Sequence, residues 1–133
     1  MTEAATPATL TGRRILVAED EYLIAAEVAG VLEEAGAEVF GPVASVTAAL
    51  GFAAAEDRIE GALLDVNLRG EAIWPVVDAL LARGVPVVLT TGYDAGALPG
   101  AYASLPRCEK PTSGRDLIRA MTGVLEAQCP AGS

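Results

Sequence analysis

The sequence predicts an α/β domain: a five-stranded parallel sheet, doubly wound, with helices on both faces. Three observations carry this. Short apolar runs alternate with helical apolar patterns five times along the chain, the order that a sheet with crossover helices produces. The fourth run, VPVVLT, is rich in Val and bounded by Gly84 and Gly92, as a buried strand is. The chain has 133 residues and is 52% hydrophobic, enough for one domain with a core of Ala, Val and Leu.

Residues 1–12 read as a flexible leader, 13–127 as the domain and 128–133 as a tail. The first strand is Arg14–Ala18. A helix follows, with Ile24, Val28, Val31, Leu32 and Ala35 on one face, Glu27 and Glu34 off it, and Gly36 as its stop. Ala37–Phe40 is the second strand, and a weaker helix runs from a Ser45 N-cap to Ala55. The third strand, Gly61–Leu64, leads to a helix carrying Ile73, Val76, Val77, Leu80 and Leu81, with Pro75 in its first turn and Gly84 as its end. Trp74 reads as packing. After the fourth strand, Val85–Thr90, the segment YDAGALPGAYASLP holds two Gly and two Pro and has no sustained periodicity, which predicts a fourth helix that is short or disrupted. A brief strand Arg107–Glu109 precedes the last helix, opened by Ser113-x-x-Asp116, akin to a capping box, and carrying Leu117, Ile118, Met121, Val124 and Leu125.

The bulk numbers exclude several functions. A net charge of −9 argues against nucleic acid, which needs a basic face, and nothing resembles a basic membrane-binding helix. The N-terminus lacks the zones of a signal peptide, and no apolar run approaches the ~18 residues of a membrane span. Cys108 and Cys129 have no metal spacing and read as ordinary thiols, so the expected location is cytoplasmic. The absence of His excludes a histidine base or ligand within the chain.

What chemistry remains collects at strand ends. Glu19, Asp20 and Glu21 follow the first strand, Asp65 the third, Thr90 and Thr91 close the fourth, and Lys110 follows the fifth. Glu21 reads as a solvated charge at a helix start, where negative charge is welcome. In the flavodoxin-like order 2-1-3-4-5, the first and third strands flank the switch point where ligands bind, so Asp20 and Asp65 face one another. Carboxylates ~5 Å apart repel by several kcal/mol at an effective dielectric of ~20, so one takes up a proton or a divalent cation fills the site. Mg²⁺ suits such an all-oxygen site. A carboxylate beside a metal, a hydroxyl and an ammonium can accept a phosphoryl group.

In order and at strand ends, ILVAEDE, LLDVNLRG, LTTGYD and EKP resemble the receiver domain of two-component response regulators, the CheY-like superfamily, over about residues 13–127. The resemblance implies that Asp65 is the phosphoacceptor. It implies that Asp20 and Asp65 bind Mg²⁺ with the backbone carbonyl of Asn67, and Glu19 mostly through water. Thr91 and Lys110 would contact the phosphoryl group, and Lys110–Pro111 is a candidate cis peptide. Receivers usually carry an aromatic three residues before the lysine, where this chain has Arg107. With TTGY, ALPG and the broken fourth helix, that departure resembles single-domain receivers of the FATGUY type, tied in alphaproteobacteria to general stress responses. Tyr93 is then the candidate switch. The implied partners are a sensor histidine kinase or histidine phosphotransfer protein, with output by contact with a downstream regulatory protein or a role as phosphate sink or relay. Two other readings are an aspartyl-phosphate metal-dependent phosphatase, against which the pair Val66-Asn67 offers no second carboxylate, and an interaction module that is not phosphorylated.

Overall fold

Ile15, Leu16 and Val17 are each 1% exposed or less, although successive side chains of a strand point to opposite faces. Their strand must therefore be covered on both sides. The computed structural model describes residues 10–92, 98–110 and 112–128. Along the chain lie β1 (Arg14–Ala18), α1 (Tyr22–Glu34), β2 (Glu38–Val43), α2 (Val46–Ala55), β3 (Gly61–Asp65), β4 (Asn67–Leu68), β5 (Glu71–Ala72), α3 (Trp74–Ala82), β6 (Val87–Thr91), β7 (Arg107–Glu109) and α4 (Gly114–Gln128). The main sheet is parallel, in the order β2-β1-β3-β6-β7. With the small ribbon β4-β5 set aside, this is the expected 2-1-3-4-5.

The two-residue period of each strand divides the core. Leu16 and Ala18, Ala62 and Leu64, Val87 and Leu89 join one cluster with Val46, Ala49 and Ala53 of α2 and Val76, Val77 and Leu80 of α3. Ile15 and Val17, Leu63 and Val88 join the other with Val28 and Leu32 of α1 and Leu117, Met121 and Leu125 of α4. Among the described residues two helices thus cover each face. Leu10, which the sequence reading assigns to the leader, packs in the second cluster at 1% exposure and donates its N–H to Ala35 O at 2.9 Å.

Local chemistry sets the element ends. Ser45 Oγ accepts from Ala48 N–H at 3.1 Å and Ser113 Oγ from Asp116 N–H at 3.0 Å, so both expected caps satisfy an otherwise unpaired amide. Pro75 sits in the first turn of α3, where no helical N–H is lost. β2 runs on through Pro42 to Val43, beyond the expected end at Phe40; as an edge strand it tolerates a residue without a donor. The Gly41–Pro42 peptide is cis. At Gly41 (φ +95°) a Cβ would lie 2.8 Å from both Val17 O and Val43 N, so only glycine fits. Arg83, just past α3, donates to Ala53 O and to Glu56 O at the end of α2, tying the two helix ends together.

Between β6 and β7 the described residues 98–106 contain one 3₁₀ turn, Gly100–Tyr102. It is held to α3: Tyr102 stacks on Trp74 at 4.3 Å between centroids, 7° from parallel, and its hydroxyl donates to Asp78 Oδ1 at 2.8 Å. Among the described residues no helix is long and apolar enough to cross a membrane.

Two substitutions test this construction. Leu80→Ala opens a cavity at a fully buried position and costs about 2–5 kcal/mol, whereas Ser45→Ala removes a single cap and costs about 0.5–2 kcal/mol. Urea denaturation of both variants checks the magnitudes and their order.

Candidate functional site

The switch in strand order lies between β1 and β3, whose carboxyl ends open side by side. Asp65 ends β3 and is 5% exposed. Its Oδ1 accepts from Asn67 N–H at 3.2 Å and its Oδ2 from Lys110 Nζ at 2.7 Å. Glu19 follows β1 at 4% exposure and is pinned by its own backbone, its N–H donating to Val43 O at 2.9 Å. Glu19 Oε1 lies 2.8 Å from Lys110 Nζ, and Oε2 accepts from Glu21 N–H at 3.0 Å. Asp20 is half-buried and its Oδ2 accepts from Arg69 N–H at 2.8 Å. Lys110 is positioned by its own amide, which donates to Thr91 O at 2.7 Å just beyond the β6–β7 pairing.

Carboxylate oxygens of Glu19, Asp20 and Asp65 lie within 4.8 Å of one another. One ammonium, that of Lys110, pairs with two of these three carboxylates, Glu19 and Asp65. At that separation each ionised pair repels by about 3–4 kcal/mol at an effective dielectric of ~20. Burial, aided by the charge of Asp65, pushes the Glu19 carboxyl above its ordinary pKa despite the opposing hydrogen bond from Lys110. For Lys110, burial works against the charged form, but the hydrogen bonds to Asp65 and Glu19 and their charges outweigh it and raise its pKa. A divalent cation fits this donor set: the groups are hard, anionic oxygens, they converge, and their charge exceeds what Lys110 neutralises.

The other expected residues fall as follows. Thr90 and Thr91 close β6 at 6% and 4% exposure, Thr90 opposite Asp65 in the ladder and Thr91 opposite Glu109. Thr90 lines a cleft of about 160 Å³ with Glu19 and Lys110, whose apolar wall is Ile24, Val28 and Val31 of α1 and Leu117 of α4. Asn67 is exposed and begins the ribbon, its Oδ1 accepting from Gly70 N–H at 2.9 Å. Tyr93 and Pro111 lie outside the described residues. Arg107 occupies the exposed start of the edge strand β7. Burial raises the pKa of the Cys108 thiol, which fits an unreactive cysteine.

Two features were not read from the sequence. One is the ribbon β4-β5, whose tip reaches Asp20. The other is Tyr102, the described aromatic of the segment after β6 that packs on α3. The only sequence signal for the ribbon is Gly70 at a turn position; the partner of Tyr102 is remote in the chain.

No family model matches the chain, and no curated protein does. Solved structures do. SdrG from Sphingomonas melonis Fr1 is 34% identical, with 91% of this chain and 99% of that one covered and a TM-score of 0.76. A CheY-like response regulator receiver domain protein from Methanospirillum hungatei JF-1 is 25% identical over 89% of this chain and 97% of that one, with a TM-score of 0.78. The receiver domain of a sensor histidine kinase from Pseudomonas aeruginosa PAO1, described with a magnesium ion coordinated in its active-site cleft, shares the fold at 24% identity, 87% and 99% coverage and a TM-score of 0.72. A doubly wound sheet with an acidic, lysine-bearing pocket at its switch point defines a class of phosphorylation-controlled signalling domain. The chain belongs to the CheY-like response-regulator receiver superfamily.

The raised pKa of Glu19 means that the folded state holds this proton more tightly than the unfolded chain does. Its contribution to stability is therefore complete below the ordinary carboxylate pKa and lost as pH rises through the raised value. Without cations, Glu19→Gln should melt higher than wild type at pH 7 and lose that advantage near about pH 4. Thermal denaturation in chelator at both pH values checks this; a lower melting point at pH 7 contradicts it.

Proposed function

We propose that the protein is a response regulator whose Asp65 accepts a phosphoryl group from a phosphohistidine on a sensor kinase or a histidine phosphotransfer protein. The observation that carries this is the convergence of buried Asp65 and Glu19 and half-buried Asp20 at the switch point, with Lys110 bonded to the first two. Asp20, Asp65 and the Asn67 carbonyl would hold Mg²⁺, with Glu19 acting through water. The ion, when bound, screens the carboxylates and withdraws charge from the phosphoryl oxygens.

An Asp65 oxygen attacks phosphorus with its lone pair. The bond from phosphorus to the donor imidazole nitrogen breaks, and its electron pair stays with the imidazole. Lys110 exchanges its bond to Asp65 for one to a phosphoryl oxygen, and the Thr91 hydroxyl donates to another. Because each group comes from a different strand end, the pocket is held by the sheet and needs little reorganisation. The acyl phosphate then biases the chain after Thr91, and the change is read by a downstream protein or spent as a phosphate sink.

Support for the FATGUY type comes from Thr91-Gly92-Tyr93, from Arg107 in place of the usual aromatic, and from the single 3₁₀ turn among residues 98–106. A role in kinase networks of the general stress response follows that assignment. The phosphatase reading is disfavoured by Asn67, which stands where those enzymes carry a second carboxylate and spends its side chain on the Gly70 turn.

Incubation with acetyl phosphate and Mg²⁺, followed by intact mass, tests the proposal. Wild type should gain about 80 Da, one phosphoryl group. Asp65→Asn and chelator-treated wild type should gain none. No adduct on wild type, or an equal one on Asp65→Asn, overturns it.

A further inference from the structure

The ribbon between β3 and α3 is built as a rigid arm. Its base is fixed by Ile73 N–H donating to Val66 O at 3.0 Å and by Leu68, which is 0% exposed in the core. Asn67 pairs with Ala72 and Leu68 with Glu71, leaving Arg69 and Gly70 as a two-residue turn. Both have positive φ, +53° and +85°, as a hairpin turn matched to strand twist requires. Asn67 Oδ1 closes the turn on Gly70 N–H at 2.9 Å, while the N–H of Asn67 donates to Asp65. The tip then presents one free donor toward the pocket, and Arg69 N–H gives it to Asp20 Oδ2 at 2.8 Å.

That bond crosses the switch point, from the β3–α3 connection to the residue that follows β1. It satisfies one oxygen of Asp20, and a carboxylate oxygen of Asp20 lies within 4.8 Å of carboxylate oxygens of Glu19 and Asp65. The same short ribbon carries Asn67, whose carbonyl the proposed function assigns to the cation. One turn therefore sets the position of two ligands that come from different strands.

We infer that the Arg69-Gly70 turn is a positioning device for the cation site: its backbone amide holds Asp20, and it must be closed for a divalent ion to bind well. This rests on the proposed function, since it assumes that Asp20 is a cation ligand. The Arg69 side chain is exposed and takes no part; the amide and the left-handed backbone do the positioning. Gly70 offers a clean probe, because a Cβ there would meet nothing within 4 Å. A substitution at Gly70 acts only through its φ preference, opening the turn in a fraction of molecules that the cation must reclose.

The experiment is a titration with Mn²⁺, the free ion read by electron paramagnetic resonance, alongside melting in chelator. Gly70→Val should weaken binding about tenfold, Gly70→Ala about threefold, and Gly70→Asn, which tolerates positive φ, should bind nearly as wild type. The Arg69 amide proton resonance should move upfield in the Val variant and hold its place in the Asn variant, a readout that a general loss of stability does not produce. Where Gly70→Val fails to fold, the Ala variant decides. Folded Val and Ala variants with wild-type affinity, or an Asn variant as weak as the Val one, overturn the inference and leave the proposed function standing. Wild-type protein that binds no Mn²⁺ overturns both.

Discussion

The ammonium of Lys110, held 2.7 Å from Asp65 and 2.8 Å from Glu19, is the contact on which the site depends. It reconciles two demands that conflict. The carboxylates must be close enough to share a cation, and closeness makes them repel. One lysine offsets part of that repulsion without ending the excess of negative charge. The raised pKa values of Glu19 and Lys110 record the same balance from opposite sides. A pocket tuned in this way keeps an excess of negative charge and with it a reason to bind a cation.

Strand order is what brings the three residues together. Glu19, Asp65 and Lys110 are separated by tens of residues, yet each follows or ends a strand at the carboxyl edge of one sheet. β1, β3 and β6 are buried on both faces, so their ends are fixed by two cores at once. The side chains they deliver inherit that rigidity. β7 is short and lies at the edge, and Lys110 compensates through its amide bond to Thr91.

The legible parts of the sequence were those governed by local rules. Arg14–Ala18 could be bounded because its apolar run stops at Glu19, and the helices after Ser45 and Ser113 because caps have a short signature. The acidic cluster was legible because topology converts strand ends into neighbours. The rest depended on pairs remote in sequence. Leu10 is an isolated apolar residue in a polar leader, and only the groove beside Ala35 makes it core. The β4-β5 ribbon is two residues per strand, too short for an alternating pattern, and its Arg-Gly turn lacks the usual Asn or Asp before the glycine. Tyr102 finds Trp74 and Asp78 through a segment whose own sequence shows no period.

The central claim is that the carboxylates of residues 19, 20 and 65 form one divalent-cation site beside Lys110. An X-ray structure of crystals grown with Mn²⁺, with anomalous differences measured, addresses it most directly. The account predicts a single strong anomalous peak at bonding distance from Asp20 and Asp65. A peak elsewhere, or none at saturating Mn²⁺, would contradict it.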